Sequence, residues 1–298
     1  MTQKPPVQEK ALLFGEAKGL TGVVSLPQNL DVARPAVIFL NAGLIHRVGP
    51  FRMNVKLARR IAGTGLLSLR MDQSGLGDSL PRPGDMSYED RAVLDVREAM
   101  NTLDARYGVK TFVLIGLCAG ALSAHRAALS DARVIGACLL DGYAYRTPAY
   151  YLYSKLSKAT DPSFWRKAGE RALTKLREKL QGGAPSPSES RDSAPPPDPS
   201  EEQPGHGAAE IFAQDWPPRD VIEDELDGLL SRGVRMLFVY TGGWSDYVHK
   251  DQFDEMFPRL RFRERAQVEL YPEADHTYLM LAHREKMMAR VLSFLSGF

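Results

Sequence analysis

The chain has 298 residues, which is enough for one large α/β domain with an insertion or for two small domains. Hydrophobic residues make up 44% and charged residues 25%, as in an ordinary globular protein, and a net charge of +1 gives no reason to expect a nucleic-acid partner. Two cysteines are too few for a disulfide framework, and we find neither a signal peptide nor an apolar span of membrane length. We therefore expect a cytoplasmic protein without an integral membrane segment.

Strand-like and helix-like segments alternate through the first half of the chain. Two antiparallel strands are predicted at Ala11–Phe14 and Leu20–Leu26. Ala36–Leu40 and Leu66–Met71 are apolar runs without polar alternation, which favours strands buried on both faces. Ser87, followed three residues later by an aspartate, is the predicted N-cap of a helix. The alternation predicts an α/β fold with a mostly parallel, doubly wound sheet and helices on both faces.

The sequence Gly116-Leu117-Cys118-Ala119-Gly120 ends an apolar strand-like run and opens a helix of small residues. This is the form of a nucleophile elbow, in which flanking glycines leave room for a strained turn from strand to helix. With Cys118 in the usual place of serine, the helix N-terminus would favour negative charge on the sulfur. On this stretch alone, a small buried cysteine in a tight turn explains the pattern equally well.

The regular alternation stops at Gly142 and resumes near residue 221. We interpret residues 1–141 and 221–298 as two parts of one core, and residues 142–220 as an inserted cap. A helix that begins near Ser163 is predicted inside this cap. From about residue 182 to residue 207 the chain has many prolines and almost no large apolar residue, which predicts a disordered loop.

Three chemically active residues, Cys118, Asp246 and His276, each follow a predicted parallel strand. Open α/β sheets build their sites at the edge where such strands end, so we expect the three side chains to meet there. Asp141 also ends a predicted strand and competes with Asp246 as the acid that orients His276. Asp275 lies too close to His276 in the sequence to orient it. We favour Asp246, and Asp141 stays open.

Together these features resemble the α/β-hydrolase superfamily over nearly the whole chain, apart from residues 1–10 and the proline-rich loop. Five features carry the resemblance: Gly116-x-Cys118-x-Gly120, Asn41-Ala42-Gly43-Leu44, Asp72-x-x-Gly75-x-Gly77-x-Ser79, Asp246 after a glycine-rich turn, and His276 near the end. Within the superfamily the chain is most similar to bacterial hydrolases classed with serine aminopeptidases, including those associated with exosortase systems. A cysteine nucleophile is the pattern of dienelactone hydrolases.

The resemblance implies acyl transfer through a covalent intermediate, with Cys118 as nucleophile, His276 as base and Asp246 as the orienting acid. It also implies an oxyanion hole made by backbone N–H groups, one from Ala119 and another from the turn at Gly43 and Leu44.

No metal or organic cofactor is expected for this chemistry. His46 and His249 lack ligand spacing with any cysteine or acidic cluster, so we read them as solvated side chains.

We expect Tyr143 and Trp244 to bind substrate in a partly apolar pocket, although these aromatic rings would equally serve to pack the cap. The predicted activity is hydrolysis of an ester, thioester or related acyl bond in a small-molecule or carrier-bound substrate. Two alternatives stay open. One is acyl transfer to an acceptor other than water, and the other is a hydrolase-fold binding or scaffold protein that has lost efficient catalysis.

Overall fold

The structure is a computed structural model that describes residues 7–160 and 216–298. Eight strands form one sheet in the order β1-β2-β4-β3-β5-β6-β7-β8. Their bounds are β1 Gln8–Phe14, β2 Leu20–Leu26, β3 Ala36–Phe39, β4 Ser68–Asp72, β5 Phe112–Leu117, β6 Val134–Leu140, β7 Arg235–Thr241 and β8 Ala266–Tyr271. β2 pairs antiparallel with β1 and β4, and every other neighbouring pair is parallel. The predicted fold class is confirmed.

Helices pack on both faces of this sheet. The helices of the described residues are α1 Met53–Ala62, α2 Tyr88–Tyr107, α3 Ala119–Ser130, α4 Pro148–Thr160, α5 Arg219–Ser231, α6 Gln252–Met256 and α7 Leu281–Leu295. Apolar side chains of α2, α3 and α5 fill the core on one face, whereas α1 and α7 fill it on the other. None of these helices combines the length and the apolarity that crossing a bilayer requires.

Local sequence signals explain where several of these elements begin. Ser87 caps α2 as predicted, because its Oγ accepts a hydrogen bond from the backbone N–H of Asp90 at 3.1 Å. The predicted antiparallel entry is confirmed by the pairing of β1 with β2, in which Ala11 lies opposite Val23. The parallel strands β3 and β5 are buried on both faces, which explains their apolar runs without alternation.

The chain divides into two compact units, one of Met1–Thr147 with Gln214–Phe298 and the other of Pro148–Ala213. The first unit holds the whole sheet. Of the second unit, the structure describes α4. The helix predicted near Ser163 and the loop predicted at about 182–207 lie outside the described residues, so both stay predictions, as does the role of the insertion as a cap.

Candidate active site

Cys118 lies between β5 and α3 in a strained backbone conformation, with φ 55° and ψ −121°. A positive φ at a residue with a side chain costs about 1–3 kcal/mol and persists only where the surrounding structure holds it. A Cβ atom added to Gly116 would lie 2.0 Å from the carbonyl oxygen of Gly120, and one added to Gly120 would lie 2.4 Å from that of Asn41. The two glycines are therefore needed, as in the elbow predicted from the sequence.

The side chain of Cys118 is partly exposed, whereas the other cysteine, Cys138, is fully buried in β6. A sealed core cysteine at position 118 was the competing interpretation of this stretch, and the exposure of Cys118 argues against it. Burial raises the pKa of the Cys138 thiol, which makes it a poor nucleophile.

His276 follows β8 and links two side chains from other strands. Its Nδ1 lies 2.8 Å from Oδ2 of Asp141, the residue directly after β6. The side chain of Cys118 is the second neighbour of this ring, and hydrogen bonding with it also raises the pKa of His276. Sulfur, imidazole and carboxylate thus form one chain at the edge of the sheet where parallel strands end.

The prediction that Asp246 is the partner of His276 is wrong. Oδ1 of Asp246 accepts a hydrogen bond from Nε of Arg146 at 2.8 Å, and both side chains are partly exposed. Asp141 is fully buried, and its carboxylate also accepts hydrogen bonds from the backbone N–H and the hydroxyl of Thr241, each at 2.7 Å. These bonds fix the carboxylate beside the imidazole ring.

A signal for Asp141 was present in the sequence. It stands immediately after a fully apolar strand, whereas Asp246 comes five residues after the end of β7. Two turns separate Asp246 from the end of β7. Backbone hydrogen bonds close the first from Thr241 to Trp244 and the second from Trp244 to Tyr247. The number of residues between each aspartate and the end of its strand was therefore the better criterion for choosing the partner of His276.

The hydrogen bond to Asp141, and then the one to Cys118, raise the pKa of His276 to about 10, and burial opposes them only in part. Both partners favour the protonated ring because a protonated imidazole can donate a hydrogen bond from each of its two nitrogens. We therefore expect an imidazolium at neutral pH.

This raised pKa predicts how stability depends on pH. A group whose pKa is higher in the folded state stabilises the fold fully below its unfolded value of 6.5, and the contribution is lost as pH rises through about 10. The free energy of unfolding of the wild type should therefore exceed that of His276→Gln by a few kcal/mol below pH 6.5. This difference should shrink steadily as the pH rises to about 10. Urea unfolding of both proteins across this pH range measures the difference. A difference that does not change with pH would contradict the raised pKa of His276.

An indole ring fixes the other side of the histidine. Trp244 stacks on His276 with ring centroids 5.0 Å apart and an angle of 18° between the planes. A backbone hydrogen bond from Gly243 to Ala274 joins the two loops, and one from Trp244 to Thr241 closes the turn that carries the indole. Trp244 therefore lies against the His276 ring, and its contact with substrate stays a prediction.

A row of aromatic rings continues from Trp244. Trp216 lies 6.3 Å from Trp244 and 5.5 Å from Tyr143 between ring centroids. Tyr143 is only 2% exposed, and its carbonyl oxygen accepts a hydrogen bond from the hydroxyl of Tyr240. Tyr143 thus packs in the core behind the row, and its contact with substrate stays a prediction. The sequence analysis missed Trp216, which lay inside the range assigned to the cap.

The loop that carries the predicted oxyanion donors is held by one buried carboxylate. Gly43 and Leu44 occupy the middle of a turn closed by a hydrogen bond from Ile45 to Ala42, and Gly43 has φ 55°. Oδ1 of Asp72 accepts hydrogen bonds from Asn41 Nδ2 at 3.0 Å and from the Arg47 backbone N–H at 2.6 Å, which ties both ends of the loop to β4. This explains why an aspartate stands at position 72.

His46, Asp72 and Asp78 are the one group in the described part of the chain whose side chains lie close enough together to hold a metal ion. The guanidinium of Arg47 lies among them and hydrogen-bonds Asp72, Asp78 and His46. Because this cation already pairs with both carboxylates, the group is better explained as an ion-pair network that anchors the loop.

Comparison with known proteins agrees with this architecture. A sequence model described as "Alpha/beta hydrolase family" matches residues 37–291. An esterase from Pyrococcus furiosus has a similar structure at 13% identity and a TM-score of 0.54, covering 97% of this chain and 90% of the esterase. Proline iminopeptidase from Mycobacterium smegmatis is similar at 15% identity and a TM-score of 0.57, covering 97% and 98% of the two chains. No curated protein matches this chain significantly.

Proposed function

The chain belongs to the alpha/beta hydrolase family, and we propose that it is an acyl hydrolase whose catalytic triad is Cys118, His276 and Asp141. One observation carries the proposal: the His276 ring hydrogen-bonds the sulfur on one side and a buried carboxylate on the other. This is the arrangement by which an oriented histidine activates a nucleophile.

In the first half of the reaction, the Cys118 thiolate attacks the carbonyl carbon of an ester or thioester. The tetrahedral intermediate collapses as the bond to the leaving alcohol or thiol breaks, and protonated His276 donates its Nε2 proton to that leaving group. Asp141 keeps the ring oriented and stabilises its positive charge before the proton leaves. The product is an acyl group joined to the sulfur of Cys118.

In the second half, neutral His276 removes a proton from a water molecule, which attacks the acyl carbon. The carbon–sulfur bond breaks, the acid is released, and Cys118 returns to the thiolate beside protonated His276. We further propose that the backbone N–H groups of Ala119 and of Gly43 or Leu44 receive the oxyanion in both halves. The close contact between Gly120 and the backbone of Asn41 supports this, because it sets that loop against the first turn of α3.

The surroundings of the triad favour an apolar acyl group. Trp244 covers His276, and the ring of Trp216 extends the aromatic surface. Neither ring offers a charge to a substrate, so the energy of binding would come from apolar contact.

The strained elbow argues against a scaffold that has lost its chemistry. The positive φ of Cys118 costs stability, and the buried carboxylate of Asp141 is held by hydrogen bonds to Thr241 and His276. Such features cluster at working sites, where a reaction requires them.

Steady-state kinetics with paired substrates tests the proposal. A p-nitrophenyl ester and an N-acetylcysteamine thioester of the same straight-chain acid would pass through the same acyl enzyme. If release of the acid limits turnover, both should give the same kcat, and a longer acyl chain should lower KM. Failure of the enzyme to cleave any member of either series would contradict the proposal.

A further inference from the structure

Six large apolar side chains are exposed on two segments beside the candidate active site. Leu44 and Ile45 lie in the loop after β3, and Phe51 lies in the turn that leads into α1. Leu279, Met280 and Leu281 follow the histidine loop at the start of α7. Their exposed fractions reach 60% at Leu44 and 56–58% at the three consecutive residues. We name these six residues the apolar rim.

The two segments belong to one side of the molecule. Both follow parallel strands at the edge that carries the triad, and α1 contacts α7 on the same face of the sheet. The guanidinium of Arg284 lies 5.0 Å from the centre of the Phe51 ring and donates a hydrogen bond to the carbonyl of Leu279 at 2.7 Å. One arginine therefore joins the aromatic part of the rim to its aliphatic part.

Basic side chains lie next to the Phe51 end of the rim, whereas at the other end the Asp275 carboxylate accepts a hydrogen bond from the backbone N–H of Leu279. The sequence from residue 32 to residue 71 contains no aspartate or glutamate, and its exposed positions near the rim include Arg52 and Lys56. Farther along α1, Arg59 and Arg60 are paired with Glu9 and Glu285 respectively. Positive charge is therefore concentrated at the end of α1 where Phe51 is exposed.

We infer that the apolar rim is a docking surface for an anionic lipid bilayer. Exposed leucine, isoleucine, phenylalanine and methionine side chains on two neighbouring segments can enter the boundary between headgroups and acyl chains, while basic residues beside them attract anionic headgroups. Groups of exposed apolar side chains of this kind mark interaction sites.

Two observations favour a bilayer over a protein partner. Protein interfaces are anchored mainly by tryptophan, tyrosine and arginine, whereas five of the six rim residues are aliphatic or methionine. A second copy of the chain would also bring Arg52 and Lys56 of both molecules together, and this repulsion opposes pairing.

The inference goes beyond the proposed function, because it concerns where the enzyme works and not what it cleaves. Its test therefore uses Cys118→Ala protein, which cannot turn over substrate in the proposed mechanism. Binding is measured by flotation with vesicles of phosphatidylcholine alone and with vesicles that also contain phosphatidylglycerol. We expect the protein to float with the anionic vesicles and to float poorly with the neutral ones.

Two sets of substitutions locate the contact. Leu279→Ser with Leu281→Ser should weaken binding on the order of tenfold, because two side chains lose their apolar contact with lipid. Arg52→Gln with Lys56→Gln should weaken binding to anionic vesicles by about fivefold for each charge. The matched control is Leu13→Ser with Val32→Ser, which removes two equally exposed apolar side chains elsewhere and should leave binding unchanged.

Three outcomes would overturn the inference: failure to float with anionic vesicles, equal binding by the Leu279/Leu281 variant and the wild-type surface, or equal loss in the Leu13/Val32 control. Sedimentation velocity at several protein concentrations tests whether the rim instead mediates self-association. A concentration-dependent dimer that the Leu279/Leu281 variant abolishes, with no vesicle binding, would assign the rim to a second copy instead. Circular dichroism of every variant checks that the fold is retained.

Discussion

Cys118→Ala is expected to lower kcat by about 10⁶-fold on any substrate that the wild type cleaves, because it removes the sulfur that forms the acyl intermediate in the proposed mechanism. Cys118→Ser should keep the fold and retain little activity, since a hydroxyl is a far weaker acid than a thiol and loses its proton to His276 much less readily. The measurement is kcat on the paired ester and thioester, with unfolding curves to confirm that each variant is folded.

Cys138→Ala is the matched control, because it removes the other thiol in the sequence from a buried position in β6. It should leave kcat within about twofold and cost roughly 1 kcal/mol of stability through the small cavity. Loss of activity in Cys138→Ala but not in Cys118→Ala would contradict the proposed nucleophile.

Asp141→Asn should lower kcat by about 10⁴-fold, because the amide cannot stabilise the imidazolium and favours the wrong tautomer of His276. Asp246→Asn is the comparison that distinguishes the two acids. Its carboxylate pairs with Arg146 at the surface, so its loss should change kcat by less than about threefold and stability by less than about 1 kcal/mol.

The double variant Cys118→Ala with Asp141→Asn adds a test of shared action. If the two side chains work in one triad, the double variant should be no slower than Cys118→Ala alone. A further 10⁴-fold loss in the double variant, or a severe loss in Asp246→Asn, would contradict the assignment of Asp141.

Local chemistry explains which parts of the fold could be predicted. The apolar runs of β3 and β5, the capping residue Ser87 and the glycines around Cys118 each report on their own surroundings, so a single sequence is enough to interpret them. The helix Arg219–Ser231 was not predicted, because it follows a long polar stretch and its buried positions become clear only when the sheet is in place.

The acid of the site was ranked wrongly from the sequence for a related reason, although the short distance from β6 to Asp141 was a signal for it. The carboxylate that reaches His276 is the one that the ends of the strands place beside the ring. Its position depends on the register of β6 against β7. The buried bonds from Thr241 to Asp141 depend on this register, whereas Asp246 pairs with Arg146. The family resemblance favoured Asp246, but the folded chain brings Asp141 to His276.

The role of Asp72 was hidden in the same way. The sequence analysis used it only as part of a motif that carries the resemblance. In the folded chain its buried carboxylate contacts Asn41, Arg47 and the backbone N–H of Asp78, which lie far apart in the sequence or on the next turn. Periodicity or spacing within one segment cannot predict contacts between residues of different segments.

The most direct test of the central claim is to locate the acyl group on the enzyme. The wild-type protein is mixed with a p-nitrophenyl ester, quenched in acid within the first turnover, digested, and analysed by peptide mass spectrometry. We predict the mass of the acyl group on the peptide that contains Cys118, and a much lower yield in Asp141→Asn at the same time point. Acyl groups on a different residue, or full turnover with Cys118 never modified, would contradict a cysteine nucleophile activated by His276 and Asp141.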